Sequence, residues 1–199
     1  MRQNGIKKKI IEQTKKLMMT QNHVTIKDIA EASYMNIAAV NYYFGSKEHL
    51  FELVITEVID ELKFEITSII KKHEKNEKER ILEEVIEYTY QYALNHIGFL
   101  THLFLKKENQ EMSSQLLINT FFSENEFTKM IFDQLKQSIN YENEQQLYAR
   151  YMILFSSFCM PLFISIAQSD ANHQLSKKIF DDETFRRYLI KELLSILDH

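Results

Sequence analysis

The stretch VNYYFGSKEHLF, residues 40–51, concentrates hydrogen-bonding and aromatic groups in a short span. Tyr42, Tyr43 and Phe44 follow Asn41 directly, and Gly45, Ser46, Lys47 and Glu48 come next. An amide donates and accepts, which suits a base edge, and Asn36 and Asn41 both supply one. Tyrosine hydroxyls bond phosphate oxygens, as Tyr42 and Tyr43 could. Lys47 and the backbone N–H groups that open the following helix can hold another phosphate. Together these groups suit nucleic-acid recognition. The plainer alternative for Tyr42 and Tyr43 is core packing, which is also the reading for Phe44.

Other chemistries find little support. The seven histidines show no close metal pairing, and His96 and His102, six apart, fall on different helix faces. No Ser/His/Asp arrangement and no Gly-rich phosphate loop is visible. Glu83 and Glu84 look like an exposed helix face rather than an acid–base pair. Cys159, the single cysteine, lies in an apolar run and reads as a small buried hydrophobe. It permits no internal disulfide, so a reducing cytoplasm is the expected setting. We expect no enzyme, no cofactor and no metal.

The net charge of −4 conceals an asymmetry. Residues 1–50 hold 8 of the 24 Lys and Arg but only 4 of the 28 Asp and Glu. A basic head on an acidic body suits a local anionic partner, although chance could produce an imbalance of this size.

Which elements would position these groups? Only 3 Gly and 1 Pro punctuate 199 residues, so helices are favoured over many short strands. Ile6, Ile10, Ile11, Thr14, Leu17 and Met18 form a helical stripe over residues 4–21. Thr25 is a good N-cap with Asp28 three residues on, opening a short helix that ends near Ser33. A third helix runs from about Asn36 to Gly45, and Ser46 caps a long fourth to about Lys71. Residues 71–80 form a charged connector or two frayed helix ends, followed by a helix from Arg80 to Ile97. Gly98 should break or bend the chain before a short helix from Leu100 to Lys107. Residues 108–122 are ambiguous. Ser123 can cap a helix to about Asn140. Glu142 to Ser169 reads as one helix kinked at Pro161, and Asp182 opens a last helix to about Leu197. The uncharged run Tyr151 to Ala167 is a buried helix in this reading, not a membrane span.

The second and third helices are joined by only Ser33 to Asn36, the spacing of a helix-turn-helix. The second helix of that motif enters the major groove with its N-terminal residues at the base edges. At this point the segment TIKDIAEASYMNIAAVNYYFGSKEHLF resembles the DNA-binding signature of the tetracycline-repressor (TetR) family. Thr25, Ile29, Ala30, Ala38, Tyr42, Phe44, Ser46, Lys47, Glu48 and Leu50 match it, and the resemblance covers roughly residues 6–55. It implies an all-helical homodimeric repressor whose C-terminal helices bind a small molecule and dimerise, ligand binding moving the heads off adjacent grooves. Tyr42 and Lys47 match phosphate-touching positions, and Asn36 to Asn41 match the reading helix. The expected DNA-contacting set is Thr25, Lys27, Asn36, Ile37, Ala38, Ala39, Asn41, Tyr42, Tyr43 and Lys47. Ser33, Tyr34 and Met35 depart from the usual Ala-Gly-Val, Ala39 replaces a frequent Thr or Ser, and Tyr43 a common His. A left-handed Tyr34 would cost about 1–2 kcal/mol.

These readings define an all-α chain. Residues 1–46 would be a three-helix head with a helix-turn-helix, and residues 47–199 a helical ligand-binding and dimerisation domain. Phenylalanines crowd the second part. Taken singly, each suits an ordinary core. As a group they could line a pocket for a flat or apolar ligand, for which the candidates are Phe99, His102, Phe121, Phe122, Phe155, Phe158 and Cys159. On the helix from Glu142, the stripe Tyr151, Phe155, Phe158 and Leu162 opposes Ile153, Met160, Ile164 and Ala167. One side can face its own domain and the other a partner, making a two-fold bundle with the last helix. The expected partners are an operator duplex, a small effector and a second copy. The competing readings are a helical small-molecule carrier and a protein-interaction module without operator recognition.

Overall fold

The computed structural model describes residues 2–21, 23–73, 78–104, 110–169 and 182–198. All regular structure among them is helical. In chain order the helices are α1 (Arg2–Thr20), α2 (Ile26–Ser33), α3 (Ile37–Phe44), α4 (Lys47–Lys72), α5 (Lys78–Asn95), α6 (Ile97–Phe104) and α7 (Gln110–Leu117). A π-helical turn, Ile118–Phe122, precedes α8 (Glu126–Ser138), α9 (Glu144–Ser169) and α10 (Glu183–Asp198). The expected all-α class holds.

The chain forms two compact units. The first comprises residues 1–61 with 96–117, and the second 62–95 with 118–199. In the first unit the α1 stripe packs as its spacing requires: Ile10, Thr14 and Met18 are buried, while Lys7, Lys8 and Lys9 are exposed. The Thr14 hydroxyl donates to the Ile10 carbonyl at 2.8 Å, so a buried polar group is satisfied inside its own helix. Ile29, Val40, Leu50, Phe51, Val54 and Ile55 complete the core. Each such side chain contributes roughly 1.5–3 kcal/mol on burial.

Gly98 departs from its expected role. It lies within α6, and the helix break falls just before it, at His96. A Cβ at Gly98 would run into the Met19 carbonyl group and lie 3.0 Å from the Met18 carbonyl oxygen. Glycine is there because helix α6 approaches the backbone of α1, a demand that chain punctuation does not reveal.

In the second unit α5, α8, α9 and α10 bury Ile86, Tyr90, Leu135, Leu147, Tyr151, Leu193 and Leu197 in one cluster. Ile66, Ile69, Ile81, Val85 and Phe127 form another. Buried Arg150 donates to the Leu197 carbonyl at 2.5 Å and to the Asn140 carbonyl, so it ties the end of α10 to the turn before α9. Asn125, not Ser123, caps α8. Its side-chain oxygen accepts from Thr128 N at 2.9 Å, while the Ser123 carbonyl takes the Thr128 hydroxyl at 2.8 Å. The π-helical turn ends at Phe122, and three bend residues, 123–125, carry the chain to the start of α8. Pro161 is buried inside α9 and does not end it. By length and composition, α9 is the one described helix long and apolar enough to cross a membrane. Its Tyr151 and Leu162 are buried, whereas Ile153 and Met160 are exposed, so the two expected stripes face opposite ways.

Candidate nucleic-acid interface

The helix-turn-helix is built by local bonds. At the start of α2, Thr25 Oγ1 accepts from Asp28 N at 3.2 Å, and Asp28 Oδ2 accepts from Thr25 N at 2.8 Å. The Thr25 hydroxyl also donates to Asp28 Oδ2 at 2.6 Å. The side-chain bond first, and then the backbone bond, hold the Asp28 carboxyl below its ordinary range. Thr25 therefore spends its hydroxyl on the cap.

The turn keeps its geometry without glycine. Tyr34 takes φ 58 and ψ 41, a left-handed conformation. Tyr34 N donates to the Glu31 carbonyl at 3.1 Å and Met35 N to the Ala30 carbonyl at 2.8 Å. That pair of bonds is a Schellman closure, which satisfies the last carbonyls of α2. Asn36 then caps α3, its Oδ1 accepting from Ala39 N at 2.6 Å. Gly45, at φ 75, closes α3 with a 2.8 Å bond to the Asn41 carbonyl. Ser46 Oγ accepts from His49 N at 3.1 Å to open α4.

This scaffold turns one side of α3 outward. Val40 and Phe44, four apart, are buried. Asn36, Ile37, Ala38, Asn41 and Tyr42 are exposed, Tyr42 by 77%. Ala39 and Tyr43 are half-buried at the margin, and the Tyr43 ring meets Tyr42 edge-on with centroids 5.4 Å apart. Lys27 is exposed on α2, 3.8 Å from Glu31. Lys47 is half-buried, its Nζ 5.2 Å from the Phe51 ring centroid. The face thus offers an amide, small side chains and a phenol, with a lysine just past its end. Tyr34 was missing from the expected set, yet it is 88% exposed at the turn, with Lys9 Nζ 4.9 Å from its ring centroid. Its signal in the sequence is a large aromatic where the turn calls for glycine.

The residues expected to hold a ligand fall into different surroundings. Phe99 and His102 are buried in the first unit, and His102 Nε2 bonds the Gln21 carbonyl at 2.8 Å. In the second unit Phe155 has ring centroids 4.6 Å from Phe122 and 5.5 Å from Phe121, while Phe158 lies 5.2 Å from Tyr90. Tyr90 donates its hydroxyl to the Ser157 carbonyl at 2.8 Å, and Tyr151 donates to the Phe121 carbonyl. Burial pushes both phenols well above their ordinary range. Cys159 is exposed, not buried as its apolar run suggests, because it lies on the outer side of α9. Partial desolvation still raises its thiol pKa. A separate groove of about 770 Å³ in the second unit is lined by charged side chains such as Glu65, Lys72, Arg80 and Glu87 beside Tyr88.

Residues 10–54 match the family model described as bacterial regulatory proteins, tetR family. No curated protein matches the chain in sequence. Among solved structures, a protein from Mesorhizobium loti provisionally named a TetR-family transcriptional regulator superposes with a TM-score of 0.66 at 12% identity, covering 98% of each chain. A Clostridium perfringens protein provisionally named a fatty acid metabolism regulator gives 0.62 at 16% identity, covering 96% of each. RolR, in complex with resorcinol, gives 0.58 at 12% identity, covering 98% of this chain and 95% of its own. Residues 10–54 thus carry a domain of the tetR-family type, and the chain has the all-α fold of the TetR-family regulator it superposes on.

Proposed function

We propose that the protein is a cytoplasmic, non-catalytic repressor that binds a near-palindromic operator as a dimer and is released by a small apolar or aromatic molecule. The observation that carries this reading is the outward face of α3. Asn36, Ile37, Ala38, Asn41 and Tyr42 are presented together by a helix capped at both ends. In this reading residues 1–46 bind DNA, with Asn36 to Asn41 at base edges and Tyr42 and Lys47 on phosphate. Residues 47–199 dimerise and sense the ligand.

Dimerisation is supported by exposed apolar side chains on the last two helices. Met152, Ile153, Met160 and Phe163 on α9, and Tyr188 and Ile196 on α10, all face outward. Groups of this size at a soluble surface mark an interface. A two-fold dimer would set its reading helices about 34–36 Å apart, or a multiple of that. Ligand binding is supported by the Phe121, Phe122, Phe155 and Phe158 rings of the second unit, and RolR, of the same fold, takes the aromatic resorcinol.

The test is selection of bound duplexes from a random pool, followed by binding against salt. A two-fold symmetric site with steep salt dependence is the expected result. No preferred site at low salt would overturn the reading and favour a carrier or interaction module.

A further inference from the structure

Tyr34 holds a left-handed backbone, φ 58, and leaves its ring 88% exposed. A bulky residue rarely takes positive φ, and such strain persists where function selects it. Packing does not account for it, since little of the ring is covered. What meets the ring is Lys9 from α1, with Nζ 4.9 Å from its centroid. This placement differs from those of Lys8 and Lys27 and matches that of Lys47 over Phe51. Lys8 lies 4.0 Å from Glu12 and Lys27 lies 3.8 Å from Glu31, each beside a neutralising carboxylate. A ring face fixes an ammonium without cancelling its charge and without using up its three donors. The turn therefore gathers a phenol hydroxyl and a full positive charge just before the N-terminus of α3.

We infer that Tyr34 and Lys9 form a second phosphate clamp, at the opposite end of α3 from Tyr42 and Lys47. The inference rests on the DNA-binding reading above. Helix α3 has 8 residues and so extends about 12 Å, close to the width of the major groove. With α3 in the groove, its two ends reach opposite walls, and each wall is a phosphate backbone. Tyr34 and Lys9 take one wall, and Tyr42 and Lys47 the other. The tyrosine thus makes up in DNA contact what the turn loses in backbone comfort.

The experiment uses the full chain and a duplex recovered by selection, with affinity measured across a salt series. Lys9→Gln removes one phosphate contact from each head, so the slope of log K against log salt should become shallower by about 1.8 per dimer. Tyr34→Phe should bind about 2- to 10-fold more weakly at fixed salt. Tyr34→Gly should also lose affinity while its Tm holds or rises, because glycine relieves the left-handed turn. A purely structural role for Tyr34 would move Tm and leave affinity alone. Parent-like affinity and slope in Lys9→Gln and Tyr34→Phe would overturn the clamp and leave the DNA reading intact. A parent protein that retains no duplex would overturn both.

Discussion

His102 Nε2 lies 2.8 Å from the Gln21 carbonyl oxygen, 81 residues earlier in the chain. The carbonyl can only accept, so the ring nitrogen carries the hydrogen. The imidazole is buried and meets Phe51 edge-on, with centroids 5.8 Å apart. It pins α6 to the exit of α1. His102→Ala would leave a cavity and a carbonyl short of its donor, at a cost of about 2–4 kcal/mol. Urea unfolding should show a lowered midpoint, and an unchanged midpoint would remove His102 from the core of this unit.

Gly98 makes the same junction sensitive to volume. One methyl group there would overlap the Met19 carbonyl, which is backbone and cannot turn aside. Gly98→Ala should destabilise by about 1–3 kcal/mol despite the better helix propensity of alanine. Thermal unfolding measures it, and a gain in Tm would mean that α6 does not approach α1 this closely.

Lys47→Ala and Asn41→Ala should differ in kind. Removing Lys47 from both heads should weaken binding about equally across sequences and reduce the salt slope by about two per dimer. Removing the exposed Asn41 amide should alter base preference at one position per half-site. Competition binding with single-base operator variants separates the two effects. If both variants bind like the parent, α3 is not the reading helix.

The outward apolar side chains of α9 and α10 set up a test of assembly. Phe163 is 57% exposed and Tyr188 is 64% exposed. Phe163→Glu with Tyr188→Glu should cost little in a lone chain but place charge inside a dimer interface. Sedimentation should then report a monomer, and operator affinity should fall with it. A double variant that remains dimeric would put the interface elsewhere.

The capping box at Thr25 predicts an acid-side effect. The folded state lowers the Asp28 pKa, so its contribution is complete above the unfolded value and is lost as pH falls through the folded one. Unfolding of the parent and of Asp28→Asn should differ by a constant amount from neutral pH down to about pH 4, and converge below it. A difference that persists unchanged into strong acid would assign the effect to something other than the carboxylate.

Most of the head was legible from one sequence because its determinants are local. The Ile10, Thr14 and Met18 spacing, the Thr25 and Asp28 cap, and the stops at Gly45 and Ser46 each act within one turn of helix. Phe44 was legible as core, and the helix-turn-helix spacing marked α3 as the reading helix, whose buried side proved to be Val40 and Phe44. The two sides of α9 were visible from the spacing of their stripes.

Other features depended on contacts between distant residues, which periodicity does not encode. By spacing alone Gly98 is a helix breaker, and only the nearness of the Met19 backbone makes it a packing glycine inside α6. Phe99 and Phe155 are alike as sequence, but one is buried in the first unit and the other sits among rings of the second. Cys159 looks buried in its apolar run until the orientation of α9 turns it outward. Tyr34 is the sharpest case. The sequence determined that a tyrosine stands where glycine suits the turn, with a basic α1 upstream. The left-handed turn is closed locally by the Ala30 and Glu31 carbonyls, but only tertiary structure brings Lys9 onto the ring, because that depends on how α1 packs beside the turn.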